Sequence, residues 1–200
     1  MNDYEQTTLW SLEVAMKEYI RMRTSIYTGS CYYLRGEHTE KSHTRFVKAI
    51  DELLSGYYTD PKDTLMTRFP ISFERSELIV VRDIDFVSVC AHHLLPFMGK
   101  CHFGYLPLKE IVGISKIPRL IECLSKRLQV QEELSHQIVD IFQEVVKPAG
   151  CGVVISANHL CMSIRGVKQP GAMTDTIALT GEFITNASLK QEFLSQVRRG

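Results

Sequence analysis

No apolar run in this 200-residue chain approaches the length of a membrane span, and residues 1–30 carry no signal-peptide pattern. Nor is there an excess of either charge: Lys+Arg and Asp+Glu number 23 each. That balance removes any general electrostatic case for nucleic acid or an anionic membrane, so an anion site has to be built locally. Internal repeats and low-complexity tracts are lacking, which argues against disorder. The six cysteines (Cys31, Cys90, Cys101, Cys123, Cys151 and Cys161) are scattered, not set in a disulfide framework. A reducing, cytoplasmic setting is the expectation. What is present is a 44% hydrophobic chain, enough to bury a core in one domain or one domain with an appendage.

Hydrophobic spacing predicts helices over 5–27 and 43–55, the second with Phe46, Val47, Ile50, Leu53 and Leu54 as its stripe. Ser42 is its expected N-cap and Gly56 its stop, followed by a loop over 57–70. From Ile71 the pattern turns to strand, with Leu78–Val81 apolar and then Ile84 and Phe86 alternating. A second strand is expected over 100–106, where Gly104 marks a close backbone approach. Ser115 and Pro118 suit the start of a helix, and a further helix covers 132–146. Strands over 151–166 and 174–184 and a helix over 188–198 complete the chain. Strand pairs flanking helices make an α+β domain: a four-stranded antiparallel sheet with helices on one face. Its two free edges make an oligomer a fair expectation.

Chemistry concentrates in Cys90-Ala91-His92-His93 and, far downstream, in His159-Leu160-Cys161. Cys90 and His93 have the two-residue gap of metal ligands, and Cys161 completes a three-ligand set. Two thiolates and an imidazole suit zinc over magnesium or calcium, and three protein ligands leave a place for water. On a strand, His159 and Cys161 would share a face. His92 and His159 remain beside the ligands to move protons. The rival reading is that the cysteines are small buried hydrophobes. A second region, Gly113-Ile114-Ser115-Lys116-Ile117-Pro118-Arg119, sets two cations at a helix start, where free N–H groups favour phosphate. Taken in isolation, an ordinary capped helix with solvated basic residues is the plainer reading of it. Glu132 in the first turn of its helix has a capping role as its plain explanation.

These motifs resemble GTP cyclohydrolase I. The resemblance runs from about Thr39 to the C-terminus through Cys90–Phe97, Gly113–Arg119, Leu128-Gln129-Val130-Gln131-Glu132, His159-Leu160-Cys161-Met162 and Arg165-Gly166-Val167, in the family's order. It divides the chain into an N-terminal helical extension, residues 1–38, and a catalytic domain, residues 39–200. The resemblance implies a tunnelling fold, in which subunit sheets join edge to edge into a barrel and two rings stack into a decamer. It also implies active sites at subunit interfaces and conversion of GTP to 7,8-dihydroneopterin triphosphate and formate. By position, Cys90, His93 and Cys161 match zinc ligands, and His92 and His159 match proton-handling histidines. Gln131 and Glu132 match the guanine pocket. Ser115, Lys116, Arg119, Arg165 and Arg45 match contacts to the triphosphate.

The chain departs from the family pattern at Ala91, where a glutamate is usual, and at His43, where a proline is usual. Glu133 and Ser135 stand where the family motif continues with Arg and Thr, and read as surface variation. Ala91 keeps two other readings open. One is a hydrolase that stops at a formamide or ring-opened product, the other a non-catalytic nucleotide-binding or regulatory homologue.

Overall fold

The computed structural model of the chain describes residues 11–19, 41–72 and 77–198. These belong to two compact units, Met1–Glu52 and Leu53–Gly200. In the first, residues 11–19 are helical, and helix α1 begins at Ser42 and runs to Leu53. The two helical segments meet at one carboxylate. Thr44 Oγ1 donates to Glu13 Oε1 at 2.6 Å, and His43 Nε2 lies 3.5 Å from the same oxygen. The rest of the helix expected over 5–27 lies outside the described residues.

The second unit opens with two short 3-10 turns, Ser55–Tyr58 and Pro61–Leu65, where the sequence suggests only a loop. Pro61 pre-sets the second, and the Asp60 carboxylate caps it by accepting from Lys62 N–H at 2.9 Å. Gly56 is not simply a helix stop. A Cβ there would sit 2.1 Å from Cys123 O, so the turn packs backbone to backbone. Strand β1 (Arg68–Pro70) then pairs with β4 (Glu110–Val112) as a separate small ribbon.

The main sheet has five strands in the order β5-β2-β3-β6-β7: Leu128–Gln129, Ile79–Cys90, Pro96–Leu106, Gly150–His159 and Thr174–Leu179. The four long strands are antiparallel, as the sequence reading expects. The fifth, β5, is two residues long and runs parallel to the end of β2. So short a strand has no periodicity to read. Alternation on β3 and β6 sends Cys101, Phe103, Tyr105, Val153 and Ile155 to one face. Helices α2 (Lys116–Ser125) and α3 (Gln131–Val146) pack there. Phe142 of α3 lies 4.7 Å from the Phe103 ring and 5.0 Å from Tyr105. Fully burying side chains of this size contributes about 1.5–3 kcal/mol each before side-chain entropy is counted.

Helices also occupy the other face, which the pattern did not anticipate. After β7 the chain turns at Gly181, φ 52°, into α5 (Glu182–Thr185) and α6 (Ala187–Val197). The expected strand over 174–184 therefore ends at Leu179, and Phe183 belongs to a helix. Phe183 and Phe193 join Val154 and Leu189 in a second small core. Gly104 permits this packing: a Cβ there would lie 2.7 Å from the Phe193 ring. No helix among the described residues is long and apolar enough to cross a membrane.

This topology gathers the chemical residues at one end of the sheet. Cys90 closes β2 opposite Gln129 of β5, and Phe97 near the start of β3 stands opposite His159 at the end of β6.

Candidate active site

At the end of β2 the chain reverses within four residues. Cys90 O accepts from His93 N at 3.3 Å and from Leu94 N at 2.8 Å, while Cys90 N donates to Leu95 O at 2.9 Å. Leu94 completes the turn at φ 53°, a left-handed conformation that costs a branched residue roughly 1–2 kcal/mol. The reversal folds His93 back onto the strand end, with Nδ1 3.6 Å from Cys90 Sγ.

Cys161 arrives by a different route from the expected one. The strand drawn over 151–166 stops at His159, and Leu160–Ser163 forms the short helix α4. The turn brings the Ser163 hydroxyl over the strand end, 2.9 Å from His159 O and 2.8 Å from Asn158 Oδ1. His159 and Cys161 therefore do not share a strand face. The helical turn carries the Cys161 thiol to Cys90 and His93, and the three ligand atoms all lie within 4.8 Å of one another.

The donor set fits a tetrahedral metal. Zinc bound to one thiolate and one imidazole at ordinary bond lengths sets S and N about 3.6 Å apart, which is the observed Cys90–His93 separation. Burial pushes the Cys161 thiol up, and the neighbouring Cys90 thiol pushes it further; the Arg165 guanidinium works against both. Two thiols crowded together in this way are relieved by a shared cation.

A cavity of about 290 Å³ opens beside the triad, lined among others by His92, Gln129, Glu132, His159, Met162 and Thr174. Glu132 is exposed in the first turn of α3, and no side chain caps that helix start. Gln131 is buried and its carboxamide is fully engaged. Nε2 donates to Ile155 O at 3.1 Å and Thr174 O at 2.8 Å, with Thr176 Oγ1 at 3.2 Å. Its Oε1 meets His159 Nε2 at 2.7 Å. The His159 ring lies flat on Phe97, centroids 4.6 Å apart and planes within 2°. Burial lowers the His159 pKa, opposed by the Glu132 carboxylate.

The other expected site residues of this unit are not among those lining the cavity. Arg165 is exposed just beyond α4, close enough for its charge to act on Cys161. Ser115, Lys116 and Arg119 do not line this cavity. Arg119 borders a second one of about 240 Å³ with Ser55, Thr59, Thr64 and Lys126. Ser115 makes no side-chain cap bond; its backbone is already helical, with φ −64° and ψ −15°. Arg45 lies on α1 in the first unit.

Sequence reasoning missed Phe97, Thr174, Thr176 and Ser135. Ser135 is buried, not a surface variant. Its Oγ bonds Gln131 O at 3.0 Å and Thr176 Oγ1 at 2.7 Å. The available signal was its position four residues after Gln131, where a helix brings a hydroxyl under the preceding carbonyl.

Residues 33–198 match the family model described as GTP cyclohydrolase I. The chain is 46% identical over 159 residues to GTP cyclohydrolase 1 of Campylobacter lari, covering 78% of this chain and 82% of that protein. It is 46% identical over 150 residues to the Chlorobaculum tepidum protein of the same name, covering 75% of this chain and 66% of that one. The Chlorobium phaeovibrioides counterpart is 45% identical over 159 residues, covering 79% of this chain and 70% of that protein.

Proposed function

The chain belongs to the GTP cyclohydrolase I family, and from that premise we propose that it converts GTP to 7,8-dihydroneopterin triphosphate and formate as a zinc enzyme. The observation that carries this reading is the Cys90–His93–Cys161 triad opening onto a cavity that also holds His92, His159 and Glu132. Cys90, His93 and Cys161 would hold the zinc. When bound, zinc supplies Lewis acidity that brings the pKa of a ligated water toward neutrality.

The chain's own residues do the rest. Opening the guanine imidazole ring and releasing carbon 8 as formate requires protons delivered to ring nitrogens. His92 and His159 are the cavity imidazoles left beside the ligand His93 to carry them. Glu132, exposed to the cavity at the start of α3, accepts from the guanine N–H groups. The helix N-terminus steadies its negative charge. Ser115, Lys116, Arg119, Arg165 and Arg45 bind the triphosphate. Cationic groups of this number hold it by charge-assisted hydrogen bonds.

Three of those residues, Ser115, Lys116 and Arg119, stand outside the cavity of their own chain. This supports an assembly in which a neighbouring copy supplies them, in keeping with the decameric rings and interfacial sites of the family. The cytoplasm as the working compartment and residues 1–38 as an appendage to the catalytic part belong to the same reading.

The test is formate release from GTP by the zinc-loaded protein, with products separated in the same reaction. Formate together with dihydroneopterin triphosphate is expected. Formate without the pterin would replace this reading with that of a ring-opening hydrolase, a possibility that Ala91 raises. Bound GTP with neither formate nor a formamide intermediate would overturn catalysis altogether.

A further inference from the structure

We infer that Gln131 is a positioning residue that fixes both the orientation and the tautomer of His159. The inference rests on the catalytic reading above and departs from the guanine-contact role implied by the resemblance. It starts from what each group in the network is able to donate.

Ile155 O and Thr174 O are backbone carbonyls, so they only accept. The end of the Gln131 carboxamide that faces them, at 3.1 and 2.8 Å, must be the NH2 group. A flipped amide would set its oxygen against two carbonyl oxygens while buried, with no water to relieve the repulsion. Oε1 therefore faces His159 on chemical grounds. The hydroxyls agree. Ser135 Oγ donates to Gln131 O at 3.0 Å, so Thr176 Oγ1, 2.7 Å from Ser135 Oγ, donates to Ser135. Thr176 then has its lone pairs left to accept from Gln131 Nε2 at 3.2 Å. The two amide hydrogens thus serve three acceptors, one of them shared, and the hydroxyl directions are consistent with that.

Gln131 Oε1 can only accept, and it lies 2.7 Å from His159 Nε2. Nε2 must carry hydrogen. In a neutral imidazole this leaves Nδ1 bare, so Nδ1 is the ring nitrogen with a lone pair left for substrate. Phe97, fully buried, holds the plane of the same ring by stacking at 4.6 Å. One residue sets the tilt and the other the edge, which leaves His159 little rotational freedom. Such an arrangement suits a group that must meet a proton at one defined atom.

The substitution Gln131→Met keeps the side-chain length and removes both the acceptor and the donor. In the zinc-loaded full-length protein, labelled with 15N-histidine and assigned through His159→Gln, nitrogen NMR reads the His159 tautomer directly. The native ring should be protonated at Nε2 and unprotonated at Nδ1, and Gln131→Met should lose that preference. In turnover, kcat should fall about 10–100-fold, as for residues that orient a functional histidine. KM for GTP should stay within about twofold. Thr176→Ser, which retains the hydroxyl, should keep both the tautomer and kcat near native.

A native ring bare at Nε2 would overturn the inference. So would a Gln131→Met protein whose KM rises with kcat preserved, since that is the signature of a direct guanine contact. The tautomer is read without turnover. If the wild-type protein failed to release formate, the spectrum would still decide the placement of the proton separately from the proposed reaction.

Discussion

Cys90 Sγ and His93 Nδ1 stand 3.6 Å apart across a turn that spends a left-handed leucine to close. Cys161 reaches the same point from α4, more than sixty residues along the chain, and supplies the third ligand atom. Cys161→Ser replaces a soft thiolate with a hydroxyl that stays protonated at neutral pH. Zinc content after gel filtration should fall well below one per chain, and formate release should drop by more than about 100-fold. Full zinc occupancy with native activity would show that Cys161 is not a ligand.

Ala91 separates the ligand Cys90 from His92, and its backbone is already committed: Ala91 N–H donates to Gln129 O at 2.9 Å. Its side chain is exposed, so Ala91→Glu adds a carboxylate without displacing the strand end. A carboxylate there can orient a neighbouring imidazole and raise its basicity. Turnover should rise by about tenfold or more, read as kcat for dihydroneopterin triphosphate. Unchanged kcat would mean that this chain has no use for the carboxylate.

The triad was legible in sequence because the Cys90–His93 gap is short and metal-ligand spacing is a local property. The path of Cys161 was not, because the chain leaves the strand at His159 for a four-residue helical turn, too short to show a period. The sheet's four long strands were legible in sequence, the first from its apolar run and the alternating Ile84 and Phe86; β5, two residues long, was not. The second helical face depends on Gly104 and Gly152 leaving room for Phe193, a long-range fit that no periodicity carries. Gln131 was flagged as part of the site, yet its partners Ile155, Thr174 and Thr176 lie on two other strands and are visible only once the sheet is assembled.

Lys116 and Arg119 start a helix that does not line the cavity holding His92. If a neighbouring copy supplies them, inactivating substitutions in the two regions should complement one another. His92→Ala and Arg119→Ala should each be nearly inactive alone. After the two are unfolded together and refolded as a mixture, about a quarter of interfacial sites would draw both wild-type residues, because the two contributing chains are chosen independently. Recovery of activity toward that fraction is expected. A mixture no more active than its components would place both residues in sites built from a single chain.

His102 offers a test of pH linkage away from the ligands. It is buried on β3, and its Nδ1 accepts from Asp83 N–H at 3.2 Å, where Asp83 forms the β2 bulge at φ 57°. Burial holds its pKa below the usual histidine value; Asp83 opposes the shift, while Arg82 and Lys100 add to it. The unfolded chain therefore binds the proton more readily than the folded one. Stability from this group is full above the unfolded pKa of about 6.5 and is lost as pH falls from there through the lower folded value. His102→Asn keeps a side-chain oxygen as acceptor for Asp83 N–H but does not titrate. Melting temperatures measured from about pH 8 to pH 5 should show the native protein losing stability faster than the variant on the acid side. Both proteins carry the same metal ligands and carboxylates, so their titration is common to the two curves. Parallel curves across the range would exclude His102 as a source of acid sensitivity.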